Sequence, residues 1–515
     1  MRFQILPFIS ALLLSAPALA QEGALSVDRC GGMNANPGGM RDGNVVSRKL
    51  ESRITDFISN ASLTPGIAIA VVKDSEIAYL RGFGYRELQT CTLAGPSTRF
   101  YLKSTTKPFL GLLAALLHEE GAVKLDAPVT NYLKDLKPAA PINADQVPLR
   151  AHFTHTIPYH DSGLNYATAN FGTIPESEYV AHANEFSQPR SIEFRYSNFG
   201  PIMGAHALSA AVNKNWRDLI QQKVFEPLSM RSSFTYVSKA EAGPVALSYV
   251  TAKRGVYRET YTKDESQMHA AGGAFSTITD LARFTIANLN NGVVDDTQIF
   301  PERAVAQAQA RQVQFDWEFY EFKRFAHGLG LHHADYEGDL LIHHFGGETH
   351  FSFMPEHDIG VVILTNAISD GVLVTHALAA TIYDELLEKE DADQRWARRL
   401  KEINDQFDQR QERYAAYMQR VRAEAPTGPR TYSPTYLAGV YENLRLGDVV
   451  VSQDNQRLSI QIGAMDGEPE WIGGDSYLVR SSLWGRPPNV WQFRRDDETG
   501  AMLIDWGGRI FTRKE

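Results

Sequence analysis

Ser104 and Lys107 stand three residues apart in Lys-Ser-Thr-Thr-Lys-Pro-Phe (103–109), directly ahead of the apolar run 110–117. A helix starting near Ser104 puts both side chains on one face, one turn apart. A serine hydroxyl is a poor nucleophile until a partner takes its proton. Lysine one turn on is such a partner, and the amide at the positive end of the helix suits an oxyanion. Pro108 falls in the first turn, where a missing N–H costs nothing. Further along, Tyr196-Ser197-Asn198 supplies a phenol and an amide. A lysine near that phenol would favour phenolate and make Tyr196 the base, while Asn198 would hold a substrate carbonyl or amide. A third candidate is His344-Phe345-Gly346 on a predicted strand. Its backbone offers amides, and the glycine admits a close-lying substrate.

Each signal alone is weak, because two fixed residue types arise about once or twice by chance in a chain this long. An ordinary helix start would make Ser104 a cap and Lys107 a solvated first-turn residue. A second Tyr-x-Asn, Tyr441-Glu442-Asn443, falls in a β-rich tail and reads as structural. Histidines cluster at His152, His155 and His160, and at His332, His333, His343, His344 and His350. With no His-Glu-x-x-His and no Cys/His ligand spacing, they are taken as exposed strand or loop residues, and no metal or other cofactor is expected.

The elements that must position these groups are legible in outline. "LESRITDFISNA" is an amphipathic helix, and "PGIAIAVVKDSEIAYLRGFGY" is a hairpin turning at Lys73-Asp74-Ser75. Helices and loops continue to about residue 325, with a helix after Thr277 that is capped in a Thr277/Asp280 pair. Strands return in "HGLGLHHA", "DLLIHHFG", "THFSFMP" and "IGVVILTN". Strands at both ends with helices between predict an α+β domain: one antiparallel sheet flanked by helices, with a helical insertion. A highly charged helix over 391–425 reads as largely solvated, and 426–434 as a Pro/Gly/Thr linker. Short strands fill the rest and predict a small antiparallel β-barrel over 431–515.

The 515-residue chain is 43% hydrophobic and carries a formal net charge of −10, with no long basic run. That disfavours a nucleic-acid partner. Residues 1–20 run basic, apolar, then small, the order of a cleavable secretory signal, followed by an extension over 21–48. No later stretch has the length and apolarity of a membrane span, so the expected location is periplasmic or secreted. The two cysteines, Cys30 and Cys91, are either one disulfide or two buried thiols. The sequence leaves the oligomeric state open.

Taken together, Ser104-x-x-Lys107, Tyr196-x-Asn198 and His344-x-Gly346 resemble the serine β-lactamase and penicillin-binding protein superfamily, whose better-known members end the set with Lys-Thr-Gly. The branch they resemble is the class C β-lactamase-like hydrolases: esterases, D-aminopeptidases and D-stereospecific amidases. "STTKPF", "EEGAVKLDAPVTNYL", "VFEPLSM", "GGAFSTITDLARF" and "HFGGETHFSFMPEHDIGVVILTN" extend the likeness over roughly 50–385. The tail from "YLAGVYENLRLGDVVV" resembles an appended lipocalin-like β domain. The resemblance implies a hydrolase domain at 49–390, a charged helix and linker at 391–430 and the β domain at 431–515. It implies that Ser104 is acylated, Lys107 shuttles the proton, Tyr196 is general base, Asn198 orients substrate, and the amides of Ser104 and Gly347 hold the oxyanion. His344 takes a position that is lysine in class C β-lactamases, which removes a fixed cation and disfavours penicillins. Ile157-Pro158-Tyr159 and His350 also depart from the pattern and are expected at the pocket rim. The expected partner is a small ester or peptide. The readings in competition are a D,D-carboxypeptidase or β-lactamase and, in another class, a ligand-binding sensor on an inactive scaffold.

Overall fold

The computed structural model describes residues 24–33, 48–260, 262–368, 370–481 and 487–515. The expected signal segment and most of the 21–48 extension lie outside the described residues. Seven helices matter here: α1 (Arg48–Ala61), α2 (Lys107–Glu119), α3 (Ser162–Asn170), α4 (Phe199–Val212), α5 (Ile278–Leu289), α6 (Gly371–Leu386) and α7 (Ala392–Ala423). The main sheet contains β1 (Gly66–Lys73), β2 (Glu76–Glu87), β3 (Thr92–Leu93), β4 (Val313–Phe319), β5 (Phe322–His327), β6 (His332–Tyr336), β7 (Asp339–Phe345), β8 (Thr349–Met354) and β9 (Ile359–Thr365). Their spatial order is β4-β5-β6-β7-β8-β9-β1-β2-β3. Strands from the two ends of the domain meet where β9 pairs with β1, Val361 opposite Val71. This is the predicted α+β arrangement, with the helical insertion between β3 and β4.

The central strands β1 and β9 are unbroken apolar runs because helices cover both sheet faces. On one side lie α1, α6 and part of α7. On the other, α2 is buried from Lys107 to Leu117 all round and forms the middle of the helical layer. The predicted hairpin turn between β1 and β2 is present, with Asp74 and Ser75 both at positive φ. Thr277 caps α5 by accepting the Asp280 amide at 3.1 Å. The Asp280 carboxylate does not reach back to the cap; it accepts from the Ser232 amide and the Ser233 hydroxyl.

Two expectations are corrected. Residues 313–327 are the strands β4 and β5, not helix or loop. In β4 half-buried and exposed positions alternate along Val-Gln-Phe-Asp-Trp-Glu-Phe, an edge-strand pattern of period two. Likewise α7 is not largely solvated. Arg395, Arg399, Ile403, Phe407, Arg410, Tyr414, Met418 and Val421 form a buried stripe spaced three or four apart. Its arginines are paired inside: Arg395 and Arg399 donate to Asp384 at 2.9 and 2.6 Å, and Arg410 pairs with Asp370. Ile403 and Phe407 add about 1.5–3 kcal/mol each by full burial.

After α7, eight strands from Gly439–Asn443 to Arg509–Arg513 close into an antiparallel barrel, the first pairing with the last through Tyr441 and Arg513. Its interior is filled by side chains, among them Trp491, Trp506, Phe493 and Tyr477. Tyr441 is buried and donates to the Leu437 carbonyl, and Asn443 donates to Ile510, so the second Tyr-x-Asn is structural. The stretch before the barrel is held against it, with the Thr431 and Tyr432 amides on Asp475. Cys30 and Cys91 are joined as a disulfide. Among the described residues, no helix is long and apolar enough to cross a membrane.

Candidate active site

Ser104 sits in a single 3₁₀ turn, Lys103–Thr106, that leads into α2. Lys103 is at φ 50°, a left-handed conformation uncommon for a residue with a β-carbon. The turn is held in that shape from below. Thr105 and Thr349 share a hydroxyl–hydroxyl bond of 2.8 Å, Thr349 donates to the Leu102 carbonyl at 3.0 Å, and Thr106 accepts the Ala274 amide at 3.1 Å. Such strain at a half-buried serine is typical of functional sites.

Lys107 is buried and its Nζ has three oxygen partners: Ser104 Oγ at 2.9 Å, Asn198 Oδ1 at 2.8 Å and the Ala271 carbonyl at 2.8 Å. Burial pushes its pKa well below the usual 10.5. Nζ donates to Ser104 Oγ as it does to Asn198 and Ala271, and burial favours loss of one of its protons, which would leave a lone pair facing the Ser104 hydroxyl. That is the geometry of a base facing a nucleophile.

Tyr196 lies against the same lysine, whose Nζ is 5.0 Å from the ring centre. Burial pushes the phenol above its ordinary value, and the nearby Ser104 hydroxyl and Arg324 only partly oppose that. Among the described residues, its hydroxyl makes no hydrogen bond of normal geometry. Burial thus disfavours the expected phenolate, as it disfavours the charged form of Lys107.

The loop carrying Tyr196 and Asn198 is fixed by two residues that sequence reasoning passed over as site residues. His155 accepts the Ser197 amide on Nδ1 at 3.3 Å, and its ring packs 4.6 Å from that of Tyr196. Asn165 on α3 accepts the amides of both Asn198 and Phe199, at 3.1 and 3.0 Å, and so caps α4. Local sequence carries no sign of either contact, since each spans more than thirty residues. Asn165→Ala is expected to lower stability by about 1–2 kcal/mol through the lost cap. It should also lower kcat/KM roughly 10–100-fold through misplacement of Asn198, as measured by urea melts and steady-state kinetics on one preparation.

His344 is buried near the end of β7, with Nδ1 2.8 Å from the Phe345 carbonyl. Burial first, then Lys107, pushes its pKa well below 6.5, so it is a neutral imidazole. The Glu348 carboxylate pairs with Lys103 Nζ at 2.5 Å. Gly346 has no room for a β-carbon, which would run into the Leu102 carbonyl and the Thr349 hydroxyl. Gly347 adopts φ +81°. Among the described residues, neither the Ser104 nor the Gly347 amide donates to another backbone carbonyl. Both remain available to an oxyanion. The structure thus brings Ser104, Lys107, Tyr196 and Asn198 together, with His344 6.0 Å from Tyr196 ring to ring.

Other sequence expectations fail here. Ile157 and Tyr159 are fully buried, and Tyr159 meets His152 at 3.3 Å, so this departure alters packing and not a pocket rim. His350 is equally buried and bonds Ser352 at 2.7 Å. Nor are the histidine clusters exposed: His152, His155, His332, His333, His343, His344 and His350 are all buried. Polar residues usually avoid such positions, and for that reason the sequence misleads.

A β-lactamase-type sheet and helix layer with a serine–lysine pair at its junction defines a class. The sequence profile of the Beta-lactamase family matches residues 54–380, and the chain belongs to that family. It is similar to the unguisins hydrolase ungD of Aspergillus violaceofuscus, 28% identical over 243 residues that cover 44% of this chain and 42% of that one. It is also similar to the putative penicillin-binding protein PbpX of Bacillus subtilis, 25% identical over 42% of this chain and 52% of that one. The teichoic acid D-alanine hydrolase of Staphylococcus aureus is 21% identical over 46% and 56%. The chain spans about half the length of these curated relatives. Among solved structures, the octameric penicillin-binding protein homologue from Pyrococcus abyssi shares the fold with a TM-score of 0.58 at 21% identity, over 90% of this chain and 99% of that one.

Proposed function

We propose that this is an exported serine hydrolase that works through an acyl-enzyme on Ser104 and acts on small esters or D-amino-acid amides. The observation that carries the reading is the buried Lys107 amine, 2.9 Å from Ser104 Oγ, with no carboxylate partner among the described residues. Lys107 takes the Ser104 proton as Oγ bonds to the substrate carbonyl carbon. The amides of Ser104 and Gly347 hold the oxyanion. As the tetrahedral centre collapses, Tyr196 gives its proton to the leaving alkoxide or amine and regains one from the Lys107 ammonium. Water then enters by the same route in reverse and frees Ser104 and the acid. Asn198 orients the substrate, and Gly346 lets the strand pack closely on the Leu102 carbonyl beneath the serine turn.

The choice of substrate rests on charge. Burial favours the neutral form of His344, and Lys103 is tied to Glu348, so neither offers a substrate carboxylate a free cation. That is a loss of roughly 1.5–3 kcal/mol, about one to two decades in rate. The names of relatives point the same way: one is a teichoic acid D-alanine hydrolase, and SurE, a fold neighbour of TM-score 0.50, is solved with D-Leu. Export follows from the reading of 1–20 as a signal, and the barrel over 431–515 as a separate domain from its own closed sheet.

The test compares kcat/KM for p-nitrophenyl acetate, D- and L-alanine p-nitroanilide and nitrocefin across roughly pH 5.5–8.5. The ester or a D-anilide should exceed nitrocefin by at least about tenfold. Because the catalytic form is the neutral amine, activity rises with pH through a lysine pKa displaced well below 10.5. A preference for nitrocefin throughout would make the protein a β-lactamase; no turnover at all would favour the sensor.

A further inference from the structure

Three histidines converge where β5, β6 and β7 end beside Tyr196. His327 is the last residue of β5. His332, the first of β6, pairs in register with both His327 and His343. His344 follows His343 near the end of β7. His327, His332 and His344 each present a ring nitrogen, and these nitrogens lie within 4.8 Å of one another. All three side chains are buried.

Among the described residues, five of their six ring nitrogens make no hydrogen bond of normal geometry: both of His327, both of His332 and Nε2 of His344. Buried imidazoles ordinarily donate through one nitrogen and accept through the other. The sixth nitrogen, His344 Nδ1, faces the Phe345 carbonyl at 2.8 Å and must donate to it. That bond fixes the tautomer and leaves the Nε2 lone pair for the cluster, as an outer hydrogen bond does for a metal-bound histidine. His155 is 5.0 Å from His327 ring to ring but is of the wrong tautomer. Its Nδ1 accepts the Ser197 amide, so its Nε2 carries the proton.

The surroundings select the ligand. Phe194 lies 5.3 Å from the His327 ring, Phe345 6.2 Å from His332, and Tyr196 6.0 Å from both His332 and His344. Among the described residues, the charged side chains that act most on the three rings are Lys107 and Arg324, with no carboxylate beside them. Three neutral nitrogens without oxygen donors suit a zinc-class ion and not magnesium or calcium.

We propose that His327, His332 and His344 form a binding site for one zinc-class divalent ion, with the fourth position left to water or an anion. A hydroxide or other anion there would offset the charge beside Arg324. Such an ion would tie three strand ends together behind Tyr196 and withdraw His344 from the substrate. The inference is independent of the Ser104 mechanism, which has no step that needs a Lewis acid.

The experiment uses the full chain without a histidine tag, stripped with dipicolinate and titrated with Zn²⁺ and, separately, Co²⁺. Elemental analysis should return about one zinc per chain, and Co²⁺ should give the intense visible absorption of a tetrahedral site. His327→Ala and His332→Ala should each weaken binding at least ~10-fold, whereas His357→Ala, at a partly exposed histidine bound to Asp339, should not. Circular dichroism establishes whether the variants fold; if they do not, the wild-type Co²⁺ titration decides alone. No saturable Co²⁺ spectrum in the wild type, or zinc held equally by folded His327→Ala/His332→Ala, overturns the proposal. Phosphonate labelling of Ser104 in the stripped chain should persist. Its failure, with the cobalt spectrum intact, would count against the acyl-enzyme and not against the metal site.

Discussion

Ser104→Ala is expected to lower kcat/KM on p-nitrophenyl acetate by at least about 10³-fold while leaving the fold intact. The loss is large because, in the proposed mechanism, Oγ is the atom that bonds to substrate carbon. The fold survives because Lys107 keeps two of its three partners, Asn198 and Ala271, when the hydroxyl goes. One lost hydrogen bond at a half-buried position costs about 1 kcal/mol. Urea melts of the variant should thus fall within that distance of the wild type. A variant that unfolds would report a structural serine at a helix start, the bland reading of Ser-x-x-Lys.

Lys107→Ala and Tyr196→Phe are each expected to cut the single-turnover rate roughly 10²–10⁴-fold, and the double variant scarcely further. In the proposed mechanism both groups serve one proton path: the amine takes the serine proton and the phenol passes one to the leaving group. Lys107→Ala should also flatten the rise of activity with pH, since the group that must lose its proton is gone. For stability the sign is the same. A lysine whose folded pKa is depressed opposes folding while it is protonated in the unfolded chain, so that cost fades only as pH approaches 10.5. Removing the amine should therefore stabilise the fold at neutral pH or leave it unchanged, apart from the lost contacts to Asn198 and Ala271. Additive losses in the double variant would separate the two residues into different steps.

What could be read from the sequence was mostly local. The three-residue step from Ser104 to Lys107 survives folding because one helical turn carries it. The hairpin at Asp74-Ser75 and the Thr277 cap are equally short-range. What escaped is tertiary. Lys107 and Asn198 are 91 residues apart, and the bond between them places the amine. Asn165 and His155 brace the Tyr196 loop from elsewhere in the chain. The α7 stripe went unseen because arginine counts as polar in a periodicity, yet Arg399 and Arg410 are buried with paired guanidinium groups. The buried histidines mislead for the same reason, and the sequence gives no hint that burial raises the Tyr196 phenol and lowers the Lys107 amine.

The most direct test of the acyl-enzyme is intact-protein and peptide mass spectrometry after reaction with a p-nitrophenyl phosphonate. One adduct per chain is expected, on the peptide containing Ser104, absent from Ser104→Ala and slowed in Lys107→Ala. An adduct on any other residue, or one of undiminished yield in Ser104→Ala, would contradict it.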